Sequence, residues 1–169
     1  MSFPRDLLDQ AWHLSRKEPR RPRQASLRRA VSAAYYAVFH LVVEEGSRTL
    51  ATGTAFPAAR YLLARAFKHS EMNSASKAFA NGNLPKQIQA AVGPVIVPPE
   101  LSSFAEAFVE LQQARHEADY NLQNAWTRAM TQEYIIRAEQ AFNDWDIIRS
   151  QQVTRLYLIA SFALKKFRG

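Results

Sequence analysis

Between Pro99 and the final Gly169 the chain carries no proline or glycine. A stretch of that length without either helix breaker leaves continuous helix as its default state. Leu101, Phe104, Phe108, Leu111 and Leu122 fall within one apolar arc at helical spacing, and Val153, Leu156, Tyr157, Ala160, Leu164 and Phe167 keep that spacing to the end. The pattern predicts a helix from 99 to about 122, a short break near Asn124, and a long helical stretch from 127 to 167 that bends near Ser150. Lys165, Lys166 and Arg168 suit the negative end of its dipole.

The N-terminal half follows the same rules. Ser2 is placed to cap a first helix with Pro4 in its first turn, reaching about Lys17, with Leu7, Leu8, Ala11, Trp12 and Leu14 as its apolar side. Pro19 and Pro22 then interrupt the chain. A second helix is predicted from Gln24 to Leu50. Ser32, Tyr35, Phe39, Val42 and Val43 share a face with Arg28, while Arg29, Tyr36 and His40 lie on an adjacent one. Ala30, Ala34, Ala37, Val38 and Leu41 fill the remaining side, and a helix apolar nearly all round is central to its bundle. Short helices are expected from Pro57 to Phe67 and from Ser70 to about Ala80. Residues 82–99, with Pro85, Pro94, Pro98 and Pro99, read mainly as loop. The sum is an all-α, up-and-down helical bundle with short additional helices. At 169 residues it is expected to be a single domain, with a core over about 5–145 and a C-terminal helical extension over about 147–167.

Composition removes several function classes. Cysteine is absent, which excludes disulfides and thiol chemistry. His13, His40, His69 and His116 show no metal-ligand spacing, so neither a zinc site nor another metal is expected. No glycine-rich phosphate loop accompanies a nucleotide-binding, antitoxin-like reading, and no cofactor is expected. The opening residues lack the apolar run of a signal peptide, and no segment of about 18 apolar residues could span a membrane. A cytoplasmic protein is the resulting expectation.

The net charge of +7 points to an anionic partner. It is concentrated: Arg16, Lys17, Arg20, Arg21, Arg23, Arg28 and Arg29 face a single acid, Glu18, over residues 16–29. Such a run either contacts nucleic-acid phosphate or is a solvated linker.

Arg115 and Asp119 stand one helical turn apart inside the apolar arc of the 99–122 helix, and His116 and Tyr120 form a second such pair about 100° away. An arginine on a buried stripe needs a partner, because it cannot shed its proton. The pair either fixes helix packing, faces an RNA phosphate at a subunit seam, or is an ordinary surface pair. Tyr36 and His40, with Arg29, form a secondary polar cluster, although aromatics at that spacing also suit a core.

At these residues the chain resembles the HEPN domains (higher eukaryotes and prokaryotes nucleotide-binding). One bacterial and archaeal branch carries a helix close to R-R-A-x-S-x-A-Y-Y-A-x-F-H and a later one reading R-x-x-A-D-Y. Here these are Arg28-Arg29-Ala30-Val31-Ser32-Ala33-Ala34-Tyr35-Tyr36-Ala37-Val38-Phe39-His40 and Arg115-His116-Glu117-Ala118-Asp119-Tyr120. Lys68-His69-Ser70, followed by Phe79, looks similar to a third element of that branch. The resemblance covers about 5–145 and implies a homodimer, often encoded beside a minimal nucleotidyltransferase in a toxin–antitoxin type system. Catalytic members are metal-independent ribonucleases using an Arg and, four to six residues later, a His. There the ribose 2′-OH attacks the phosphate, imidazole moves protons and guanidinium holds the phosphorane charge. Arg115 matches that arginine. Asp119, followed by Tyr120, stands nearest the expected histidine, and His116 directly adjoins Arg115. The resemblance thus implies Arg115, Asp119, Tyr120 and His116 as the candidate catalytic residues and Arg20, Arg21, Arg23, Arg28 and Arg29 as RNA-binding ones, with weak or absent cleavage. The alternative is a non-catalytic helical module for dimerisation or protein interaction.

Overall fold

The computed structural model describes residues 2–53 and 57–166. Among them the chain is all-α, with no strand. Its helices are α1 (Phe3–Arg16), α2 (Gln24–Leu50), α3 (Pro57–Ala66), α4 (His69–Ala80), α5 (Lys86–Val92), α6 (Pro99–Tyr120), α7 (Arg128–Ile148) and α8 (Gln152–Ala163), with a 3-10 turn at Leu164–Lys166. No helix among the described residues is long and apolar enough to cross a membrane. The expected Phe167 and Arg168 lie outside the described residues.

The chain divides into two compact units. One comprises Met1–His40 and Ala107–Asn143, the other Leu41–Glu106 and Asp144–Gly169. In the first unit, Leu27 and Val31 of α2 pack with Ala114 and Ala118 of α6 and with Trp126, against which Tyr134 is partly buried. Small alanines on α6 let the two helices approach closely, and the Trp126 ring fills the remaining space. Tyr35 meets Phe108 edge-on at 5.7 Å. The α1 stripe Pro4, Leu8, Ala11 and Ser15 is buried. Ser2 holds the N-cap position in extended conformation, but its hydroxyl makes no capping bond; its carbonyl accepts the Asp6 amide at 3.0 Å.

The second unit is organised around Tyr157 of α8. Its ring meets Phe79 at 5.2 Å, Phe104 at 5.8 Å and Trp145 at 6.4 Å. Its hydroxyl bonds the Ser76 hydroxyl at 2.9 Å, which gives the buried phenol a partner. Gly46 is required here, because a Cβ at that position would overlap the Phe67 ring.

Two expectations are corrected. The 127–167 stretch is two helices, since the chain turns at 149–151 without proline or glycine. The Thr154 hydroxyl donates to the Ile148 carbonyl at 2.7 Å and the Gln151 amide donates to the same carbonyl at 2.9 Å, so the end of α7 is satisfied locally. The 82–99 loop contains α5. Pro85 stands at its N-cap, where an imino nitrogen costs nothing, and Gly93 ends it at φ 78°. Val153, Tyr157, Leu158 and Ala160 of α8 are buried.

Candidate functional site

The first unit assembles a polar network from two helices. α6 supplies Arg115 and Asp119 on one side, one turn apart, and α2 supplies Ser32 and Tyr36 at the same spacing. Arg115 Nε lies 2.7 Å from Asp119 Oδ2. The N–H is aimed away from the line to that oxygen, so the contact is an ion pair more than a hydrogen bond. Arg115 Nη2 donates to the Tyr36 hydroxyl at 3.2 Å, and Ser32 Oγ donates to Asp119 Oδ1 at 2.5 Å. Each carboxylate oxygen therefore has a partner.

Aromatic faces frame the guanidinium. Arg115 Cζ sits 5.6 Å from the Tyr36 ring centre and 5.5 Å from that of Tyr120. Partial burial on its own would lower the guanidinium's pKa, but Tyr36, Asp119 and Tyr120 outweigh it and hold the group above its ordinary value. Arg115 is thus a fixed cation. Its side chain is 23 % exposed, and that of Asp119 is 20 %. The pair is neither sealed in the core nor free at the surface.

His116 joins this centre through an aromatic neighbour. Its ring lies 5.0 Å from that of Tyr120, and both residues are exposed. The reading that His116 points to another face holds for its direction on the helix, yet Tyr120 bridges it to Arg115. Tyr36 and His40 are also brought together, with ring centres 6.2 Å apart, and Phe3 meets His40 edge-on at 5.0 Å. Arg29 is exposed to solvent on the same helix.

The arginine run separates into two roles. Arg28 donates from Nη1 to the carbonyls of Ala118 at 2.8 Å and Asn121 at 3.0 Å, and from Nη2 to that of Asn124 at 2.6 Å. It caps the C-terminus of α6 and holds the chain that follows, so this guanidinium has a structural role within the fold. Arg20, Arg21 and Arg23 are exposed on the α1–α2 connection. Glu18, the acid in that segment, accepts from Ser26 Oγ at 2.9 Å and from the Arg23 amide at 3.4 Å. Slight desolvation raises its pKa, but Ser26, the Arg23 amide and the Lys17 and Arg23 charges together lower it.

Sequence reasoning missed Arg128. Its guanidinium bonds the carbonyls of Ser15 at 3.2 Å, Pro19 at 3.0 Å and Glu18. It caps α1 and ties down the base of the arginine loop. Nothing local in sequence signals this, because donor and acceptors are more than a hundred residues apart. Among the described residues there is no group of three or more His, Cys, Asp or Glu able to hold a metal ion. No protein-family model, curated protein or solved structure matches the chain.

Proposed function

We propose that this chain is a HEPN-like, RNA-binding protein of a toxin–antitoxin type system, ribonuclease-like in its arrangement and built to hold RNA more than to cut it. The observation that carries this reading is the part-exposed Arg115 cation, clamped by Asp119 and Tyr36 between two tyrosine rings. A guanidinium fixed in place can meet a phosphate with little loss of side-chain freedom. Tyr120 and His116 extend the exposed surface beside it, and Arg20, Arg21, Arg23 and Arg29 add exposed charge in the same unit.

Cleavage is disfavoured by the chemistry of Asp119. Its two oxygens are committed to Ser32 and Arg115, and a carboxylate in an ion pair has no proton to give a leaving group. The His116 ring packs against Tyr120, which in turn lies over the Arg115 guanidinium, so the imidazole stands one aromatic ring away from that cation. The reading includes a homodimer, a nucleotidyltransferase-type protein partner and a cytoplasmic setting. Exposed Tyr120 and Leu122, at the end of α6, offer apolar surface for a subunit seam.

The second reading, a non-catalytic interaction module, is favoured by the same doubly engaged Asp119, which suits a structural pair. Fluorescence anisotropy with labelled RNA, run beside a gel cleavage assay in EDTA, separates the two. Binding that weakens on Arg115→Ala, with little or no cleavage, is the expected result. Absence of RNA binding leaves the interaction module.

A further inference from the structure

Asp9, Trp12, His13, Arg16 and Lys17 follow the spacing i, i+3, i+4, i+7, i+8 and form one stripe along α1. They line a shallow open cleft. The buried stripe of the same helix is Pro4, Leu8, Ala11 and Ser15; Asp9, His13, Arg16 and Lys17 are exposed away from it, and Trp12 stands half-buried at its edge. A tryptophan among charged groups on such a stripe calls for an explanation.

The Trp12 ring is fixed by its neighbours. Its Nε1 donates to Glu139 Oε1 at 2.6 Å, and the Arg16 guanidinium stacks over it with Cζ 4.3 Å from the ring centre. The result is a pre-oriented aromatic plane with a cation on it. His13, Arg16 and Lys17 are exposed. The chain leaving the cleft carries Arg20, Arg21 and Arg23, also exposed, on a connection anchored by Arg128.

We infer that the α1 cleft is a nucleobase subsite for single-stranded RNA, in which Trp12 and Arg16 stack a base while the following arginines hold the phosphates. An oriented ring with flanking cations is the arrangement that accepts unpaired bases without regard to sequence. Arginine's planar fork matches phosphate oxygens better than lysine's point charge does. Asp9, as an acceptor, suits the amino groups on base edges. Bases inside a duplex are stacked on each other and cannot enter, so the subsite selects single strands. This inference rests on the RNA-binding reading above and adds to it the strandedness of the ligand and a second contact region remote in sequence from Arg115.

The test compares a single-stranded 12-mer with a duplex of the same sequence by anisotropy, using the full chain, Trp12→Leu and Arg16→Gln. Arg16→Gln changes an exposed residue and guards against misfolding of the Trp12 variant; circular dichroism checks both. The expected result is preference of the wild type for the single strand and a loss of about tenfold for Trp12→Leu, with a smaller loss for Arg16→Gln beyond that of one charge. Duplex affinity should hardly change in Trp12→Leu. Single-strand binding that both folded variants retain would overturn the subsite while leaving RNA binding intact. No binding of either RNA by the wild type would overturn both readings. Poly-glutamate competing as well as the oligonucleotide, with the same dependence on Trp12, would assign the cleft to acidic protein segments and overturn the inference.

Discussion

Arg115 and Asp119 hold each other across one turn of α6 with Nε and Oδ2 2.7 Å apart, while Asp119 is held from α2 by Ser32. The pair lies about four-fifths buried, between the regimes in which ion pairs contribute almost nothing and those in which breaking one is severe.

Arg115→Ala is therefore expected to cost about 1 to 2 kcal/mol, with the fold retained. A double-mutant cycle with Asp119→Ala should give a coupling energy of about 1 kcal/mol in urea unfolding. A coupling near zero would make the contact incidental.

Arg28 and the loop arginines should behave in opposite ways. Arg28→Ala leaves the Ala118 carbonyl in the last turn of α6 and the Asn121 and Asn124 carbonyls in the connection beyond it without this donor and should cost about 2 kcal/mol. The triple change Arg20→Ser, Arg21→Ser and Arg23→Ser touches exposed side chains and should shift stability by about 0.5 kcal/mol or less. Urea midpoints of the two variants check this directly. Equal midpoints would refute the division of roles.

The sequence could not draw that division. Both kinds of arginine sit in one basic run, and only the arrival of the Ala118, Asn121 and Asn124 carbonyls assigns Arg28 to the fold. Arg128 was invisible for the same reason. Helical periodicity did specify α2, α6 and the spacing of Arg115 and Asp119, because those depend on local geometry. The turn at 149–151 was legible only as a bend. Its cause is the Thr154 hydroxyl reaching back to Ile148, a side-chain effect without a strong composition signal. Proline in the 82–99 segment misled in the other direction, since Pro85 starts a helix as readily as it breaks one.

Alkaline pH should expose the role of Tyr157. Burial pushes its phenol up to about 12 from 10.0, against the opposing hydrogen bond with Ser76. Below pH 10 the phenol is neutral whether folded or unfolded. Between about 10 and 12 the unfolded chain ionises while the folded one does not, so stability falls as pH rises through that window. This group's share of the loss is about 2 to 3 kcal/mol. Tyr157→Phe should be less stable at pH 8, through loss of the Ser76 partner, but should lose less between pH 10 and 12. Parallel pH profiles for variant and wild type would assign the alkaline loss to other groups.

Val153, Tyr157 and Leu158 of α8 are buried, so they offer no surface to the proposed homodimer. Exposed Tyr120 and Leu122 beside the Arg115 centre are the better source. Light scattering should return the mass of two chains at micromolar concentration, and Leu122→Glu should shift it towards one. A monomeric wild type would remove the subunit seam from the account.

The most direct test of RNA binding is its salt dependence. The logarithm of the association constant for single-stranded RNA, plotted against the logarithm of salt concentration, should fall steeply for the wild type. Each phosphate contact contributes about 0.7 to that slope. Replacing Arg20, Arg21 and Arg23 by Ser should flatten the slope by about 2 units while the melting curve stays unchanged. A wild type that binds no RNA at about 50 mM salt, or a triple variant with the same slope as the wild type, would contradict the claim that this basic loop holds RNA.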